Sequence, residues 1–148
     1  MAQPPDHPVV KVFSMIRLIN DGVRDLLMEL LPPELGLAEF DVLRVLDSGD
    51  GVTSAQIAHA LHEPEPGMGP RLQSLVNSGF VRVEEGGGGR VWLTPAGMAI
   101  YSQSIAAIRP QMEKLREAFT LDEFREVLPF LKGLQTWFAE RDWAETAR

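Results

Sequence analysis

Residues 53–97 admit few folds. Thr53 and Gln56 have the T-x-x-Q spacing of a capping box, in which hydroxyl and amide each satisfy a backbone group at a helix start. Ile57, Ala58 and Leu61 then make the buried face of a short helix. The segment HEPEPG follows, and its two prolines forbid helix through it. A second helix is expected to begin near Pro66 or Gly67 and to end at Gly79, a residue suited to closing a helix. Residues 80–85 and 90–93 are short and β-prone, with glycines at 86–89 to supply the positive φ of a hairpin tip. Thr94-Pro95 opens a further helix, with threonine as cap and proline at the first position.

Helix, turn, helix, strand, tip, strand, helix is the order of a winged helix-turn-helix, here expected over residues 36–97. Long apolar helices flank it. Val9, Phe13, Ile16, Ile19, Val23, Leu26, Leu27 and Leu30 recur at spacings of three and four, predicting an amphipathic helix over 9–31 that Pro32-Pro33 stops. Gly22 weakens it by up to about 1 kcal/mol. A second helix over 37–47 carries Phe40, Leu43, Val45 and Leu46, and Ser48-Gly49-Asp50-Gly51 is a turn. The helix from 95 is expected to reach Phe119 with a bend at Pro110. Thr120 and Glu123 cap a last helix whose apolar face is Phe124, Val127, Leu128, Leu131, Leu134 and Phe138, kinked at Pro129. The proline-rich residues 1–8 read as a loose arm. The expected fold class is mainly α with a minor β hairpin, a single domain over 9–148.

Composition removes several function classes. The 148 residues contain no cysteine, which excludes disulfides, thiolate catalysis and cysteine zinc sites. No apolar run nears the roughly 18 residues of a membrane span, and the start lacks the features of a secretory signal, so a cytoplasmic protein is expected. Net charge is −7, and residues 53–97 hold three arginines, no lysine and four glutamates. A protein so charged attracts phosphate only through locally placed cations. No nucleophile elbow or phosphate loop is present, and Glu84 and Glu85, adjacent on a strand, point to opposite faces. His59 and His62, with Glu63 adjacent, have a metal-compatible spacing, but a complete site would need carboxylates from elsewhere; two surface histidines is the simpler reading. No enzyme, cofactor or metal site is expected.

GLAEFDVLRVL at 36–46, TSAQIAHAL and LVNSGFV in the helix-turn-helix, and VWLTPAG at 91–97 together resemble the MarR (multiple antibiotic resistance regulator) family over roughly residues 9–140. The resemblance implies a homodimer joined through 9–31 and 95–140, a palindromic double-stranded DNA operator as partner, and release by a small aromatic ligand bound between dimer helices and reading head. Family wings commonly carry Asp-x-Arg or an arginine-rich tip; here the tip is EEGGGGR, with Arg90 alone. An interaction module that keeps the fold and has lost operator reading is the alternative.

Helical phase sorts the second helix of the pair. Met68, Leu72, Leu75 and Val76 fall on the core face. Pro70, Gln73, Ser74 and Asn77 fall opposite, with Arg71 at the edge. Asn and Gln can contact adenine bidentately, Ser several bases, and Arg guanine or phosphate. Thr53 and Ser54 sit at a helix N-terminus, where N–H groups can hold a phosphate, although capping alone explains Thr53. Arg90 can enter a minor groove or pair with Glu84 or Glu85. These eight residues are the candidate DNA contacts. Trp92, Trp137 and Trp143, with Met15, Met28, Met98 and Met112, could line an aromatic pocket, core and dimer packing being the simpler account.

Overall fold

The computed structural model describes residues 7–86 and 88–141, so most of the expected arm and Trp143 lie outside the described residues. The chain divides into two compact units, residues 1–108 and 109–148. In order come α1 (Pro8–Leu30), α2 (Leu37–Leu46), α3 (Ser54–Leu61), a single 3₁₀ turn (Glu65–Gly67), α4 (Met68–Asn77), β1 (Val81–Val83), β2 (Val91–Leu93), α5 (Pro95–Ala118) and α6 (Leu121–Glu140). Helix α1 starts inside the expected arm: His7 Nδ1 accepts from the Val9 N–H and Pro8 takes the first turn.

The core of the first unit is one cluster. Helix α2 buries Phe40, Val42, Leu43 and Leu46, α3 buries Ile57 and Ala58, and α4 buries Met68, Leu72 and Leu75. Val81, Val91 and Ile100 close it from the strands and α5, and Leu31 and Leu35 from the loop after α1. Each such aliphatic side chain contributes about 1.5–3 kcal/mol when fully buried. Val76, expected in this core, is instead exposed: α4 ends one residue later, and its last turn has left the cluster. Val42, not expected there, is fully buried, because α2 packs against both α3 and α4 and so hides a wider stripe than one partner would.

Strands β1 and β2 pair antiparallel, with Val81 opposite Leu93, Arg82 opposite Trp92 and Val83 opposite Val91. Val91 also exchanges both backbone hydrogen bonds with Val52, at 2.8 and 3.3 Å, which ties the hairpin to the turn before α3. Tyr101 stacks on Phe40 with ring centroids 5.8 Å apart. Its burial raises the phenol pKa above the ordinary value, the Asp47 charge adds to that, and Arg44 opposes it.

The joint between α4, the hairpin and α5 is closely made. Gly79, at φ +79°, reverses the chain after α4, and Phe80 N–H donates to Leu75 O at 3.0 Å. The Thr94 hydroxyl donates to Gly79 O at 2.5 Å while accepting from Gly97 N–H at 3.0 Å, and Thr94 N–H donates to Phe80 O at 3.0 Å. Gly97 is buried directly against the Phe80 carbonyl, where a Cβ would overlap the oxygen.

In the second unit, Thr120 and Glu123 form the expected capping box, with Thr120 N–H to Glu123 Oε2 at 2.7 Å and Glu123 N–H to Thr120 Oγ1 at 3.2 Å. Phe119 and Phe124 meet edge to face at 6.2 Å. Helices α5 and α6 run on through Pro110 and Pro129. No residue of α6 is buried. Among the described residues no helix is long and apolar enough to cross a membrane.

Gly97→Ala forces the Phe80 carbonyl to move with its backbone, so the loss sits at the upper end of the ~1–3 kcal/mol typical of overpacking. Denaturant melts read the shift; an unchanged midpoint would refute the close approach.

Candidate nucleic-acid interface

The second helix of the pair presents the face that its phase predicts. Pro70, Gln73, Ser74 and Asn77 are all exposed along α4, opposite the buried Met68, Leu72 and Leu75. Gln73 and Asn77 are not independent. Gln73 Nε2 donates to Asn77 Oδ1 at 3.0 Å, an i,i+4 bond along the helix surface. It leaves the Asn77 NH₂ as donor and the Gln73 carbonyl as acceptor, so the two amides together still offer both kinds of group.

The arginines are already engaged within the chain. Arg71 Nη1 lies 2.6 Å from Glu63 Oε2, in the turn between α3 and α4. Arg90 Nη1 donates to Gly51 O at 3.0 Å. Glu84 meets Arg90 across the hairpin only through the backbone, its N–H donating to Arg90 O at 2.8 Å, while the guanidinium takes a carbonyl of the turn before α3 in place of the Glu84 or Glu85 carboxylate. The reason is local: Val91 bridges to Val52, which draws the start of β2 alongside Gly51. Arg82 lies over the Trp92 ring at 5.3 Å, a cation–π contact across the register pair. Trp92 in turn covers Gly51, where a Cβ would meet its ring. Turn and wing are therefore one packed piece.

Thr53 and Ser54 stand at the α3 N-terminus. The Thr53 hydroxyl accepts from Gln56 N–H at 3.2 Å, and Gln56 Oε1 accepts from Thr53 N–H at 2.9 Å. The capping role of Thr53 is occupied, and its own N–H is spent. Ser54, half-buried, makes the first turn. At the wing tip, Gly86 (φ +72°) and Gly89 (φ +59°) adopt the left-handed region that the four-glycine run allows. Glu84 and Glu85 are exposed there. His59 and His62 rings lie 6.5 Å apart, and no group of three or more potential metal ligands exists among the described residues.

Two of the hollows on the first unit involve residues considered above. One of about 400 Å³ is lined by Arg24, Met28, Leu31, Pro32, Leu35 and residues 36–39, where α1 ends and α2 begins. The other, of about 110 Å³, lies under Trp92 and includes Leu46, Asp47 and Met98. Of the residues considered for an aromatic pocket, Met28 and Met98 thus line hollows, Trp92 lines the smaller one, and Met15, Met112 and Trp137 are exposed on helices.

Similar structures share this architecture. A MarR variant from E. coli in complex with operator DNA superposes with a TM-score of 0.76 at 23% identity, over 90% of this chain and 99% of that one. The Mycobacterium tuberculosis MarR family protein Rv2887 in complex with DNA gives 0.65 at 25% identity, over 87% and 98%. The PcaV transcriptional regulator of Streptomyces coelicolor, with its natural ligand, gives 0.74 at 14% identity, over 90% and 96%. The chain has the winged-helix fold of these MarR-family structures. No family model and no curated protein matches its sequence.

Within this winged-helix frame, sequence phase located the α4 face but not the internal partners of the arginines. Glu63 was legible only as a linker residue, and the Arg82–Trp92 pair needs the strand register. Arg90→Ala removes a hydrogen bond from a charged donor to a part-buried carbonyl. Discounted for the exposure of the side chain, the expected loss is about 1 kcal/mol. Thermal melting of the purified variant reads it, and a wild-type melting temperature would mean the bond holds nothing together.

Proposed function

We propose that this protein is a homodimeric, DNA-binding transcriptional regulator that reads a palindromic operator and answers a small aromatic ligand. The observation that carries the reading is the exposed polar face of α4, Gln73, Ser74 and Asn77, in a fold whose neighbours include two solved with DNA. Gln73 and Asn77 offer a donor and an acceptor to adenine, and Ser74 serves several base edges. Arg71 reaches guanine or phosphate from the edge of the same helix. Pro70 lies against the sugar-phosphate wall, and the α3 N-terminus at Thr53 and Ser54 approaches a phosphate. Arg90, with one nitrogen on Gly51, holds the wing and turns its remaining N–H groups to the minor groove.

The apolar faces of the long helices support a dimer. On α1, Leu18 and Ile19 are 65% and 64% exposed, with Val9, Val23 and Met28 beside them in the exposed set. On α6, Val127, Leu128 and Phe130 are about half exposed. Apolar surface on this scale marks an interface, and a second copy supplies the same surface in return. Among the described residues no helix is long and apolar enough to cross a membrane, which suits the cytoplasm, where such an operator would be met.

The ligand reading rests on the larger hollow. Its volume of about 400 Å³ suits a single-ring compound, its walls are mainly apolar, and Arg24 gives one cation at the rim. With benzoate-class acids as probes, calorimetric titration should show Arg24→Ala weakening binding by about tenfold, the worth of one charge-assisted hydrogen bond. Equal affinity in the variant would move the ligand elsewhere.

The engaged arginines favour one second reading, a protein-interaction module with the same fold and dimer. Gel shifts with the chain's own upstream DNA, run across a salt series, separate the two. A regulator should retard a defined fragment at low salt and release it steeply as salt rises. Three arginines per reading head, six in a dimer, set a ceiling of about 5 on the slope of log K against log salt. No shift with any genomic fragment at low salt would leave the interaction module standing.

A further inference from the structure

Arg71 is the sole charged residue in α4, and the group that faces it is held on a rigid frame. Glu63 follows His62, whose left-handed φ of 55° closes α3. The Glu63 N–H donates back to Ala58 O at 3.0 Å, and Pro64 next to it sits at φ −63°. The Glu63 backbone is therefore pinned at both sides, and its carboxylate stays over the first turn of α4. There Oε2 meets Arg71 Nη1 at 2.6 Å, with only 20% of the Arg71 side chain exposed. Nη1 is shut from solvent, yet no well-angled hydrogen bond forms on it. The pair is held by charge at a poor angle, which makes it a restraint on the guanidinium rather than a fixed bond.

We infer, building on the DNA-reading function above, that Glu63 is a specificity-determining residue that withholds Arg71 from non-specific phosphate. A phosphate oxygen brings a charge already matched by the Glu63 carboxylate, and it must displace that carboxylate to release a counterion. Non-specific affinity, which comes almost wholly from such release, is thereby kept low. A guanine edge is different. It presents O6 and N7 as two directed acceptors, and a guanidinium carries five N–H donors. With Nη1 kept on Glu63, the remaining donors of the fork can still meet both guanine atoms. The pair thus suppresses the contact that carries no sequence information and spares the one that does. It also places a cancelling charge at the one point where this acidic chain brings an arginine to the reading helix.

The test is Glu63→Gln in the full chain, which keeps the side-chain size and removes the charge. Binding to a random-sequence duplex and to the operator fragment retarded by the wild type is measured across a salt series. Affinity for the random duplex should rise about tenfold at low salt and its salt slope should steepen by about 0.9 per subunit engaged. Operator affinity should rise less, so the ratio of specific to non-specific binding falls. The double variant Glu63→Gln with Arg71→Gln should return the slope to the wild-type value. An unchanged slope in Glu63→Gln overturns the inference while leaving operator binding intact. A steepening that persists in the double variant overturns it too, because the gain would then come from lost repulsion and not from a freed Arg71. If the wild type binds no duplex and Glu63→Gln alone does, Glu63 blocks the sequence-reading contact as well, which overturns the inference. If neither binds any duplex, the DNA-reading function fails and this inference with it.

Discussion

The contact between Gly97 and the Phe80 carbonyl is the constraint on which the reading head depends. It lets the first turn of α5 press against the reversal at the end of α4, with the Thr94 hydroxyl bonded to both sides of the gap. The direction of α4 is set there, because its last turn closes through Gly79 and Phe80 onto Leu75 and Val76. So is the direction of the hairpin, since Thr94 ends β2 and caps α5 at once. A side chain at 97 would separate these elements by the width of a methyl group. Each polar residue on α4 would then move relative to the wing, and the proposed reading surface tolerates little of that.

A second joint works at the other end of the hairpin. Val52 and Val91 pair, Arg90 reaches Gly51, and Trp92 covers the same glycine beneath Arg82. Here the chain spends two of its three reading-region cations on holding the wing. The third, Arg71, is matched by Glu63. The electrostatic poverty seen in the composition is thus deeper in the folded molecule than the count of residues implies. In the proposed DNA reading, fixed dipoles and directed hydrogen bonds supply what diffuse charge does not. Directed bonds discriminate between bases where diffuse charge cannot.

Much of this was written in the chain and some was not. Capping residues are local, so Thr53 with Gln56, Thr94 with Pro95, and Thr120 with Glu123 marked helix starts that the structure places at the same residues. Helical phase is local too, and it separated Gln73, Ser74 and Asn77 from Met68, Leu72 and Leu75. It misplaced Val76 because phase continues past the point where neighbours end. The arginine partners were illegible for a different reason. Glu63 is eight positions from Arg71 and across a turn whose geometry depends on a left-handed histidine. Gly51 is 39 positions from Arg90 and meets it only because Val52 pairs with Val91.

The helix faces carry the remaining argument. Helix α6 buries nothing, and α1 buries nothing, although both repeat apolar residues at helical spacing. Isolated helices of this kind gain little from propensity and depend on a covered apolar face for their stability. In a chain with a net charge of −7, association through charge is repulsive between copies, so apolar contact must drive it. In the proposed dimer, two reading heads held by such a seam would acquire a fixed spacing. For a head with so few free cations that spacing would matter more than usual, because the second half-site of the proposed operator would bind at the effective concentration set by the first. Weak heads joined rigidly can be selective where strong heads would hold any duplex.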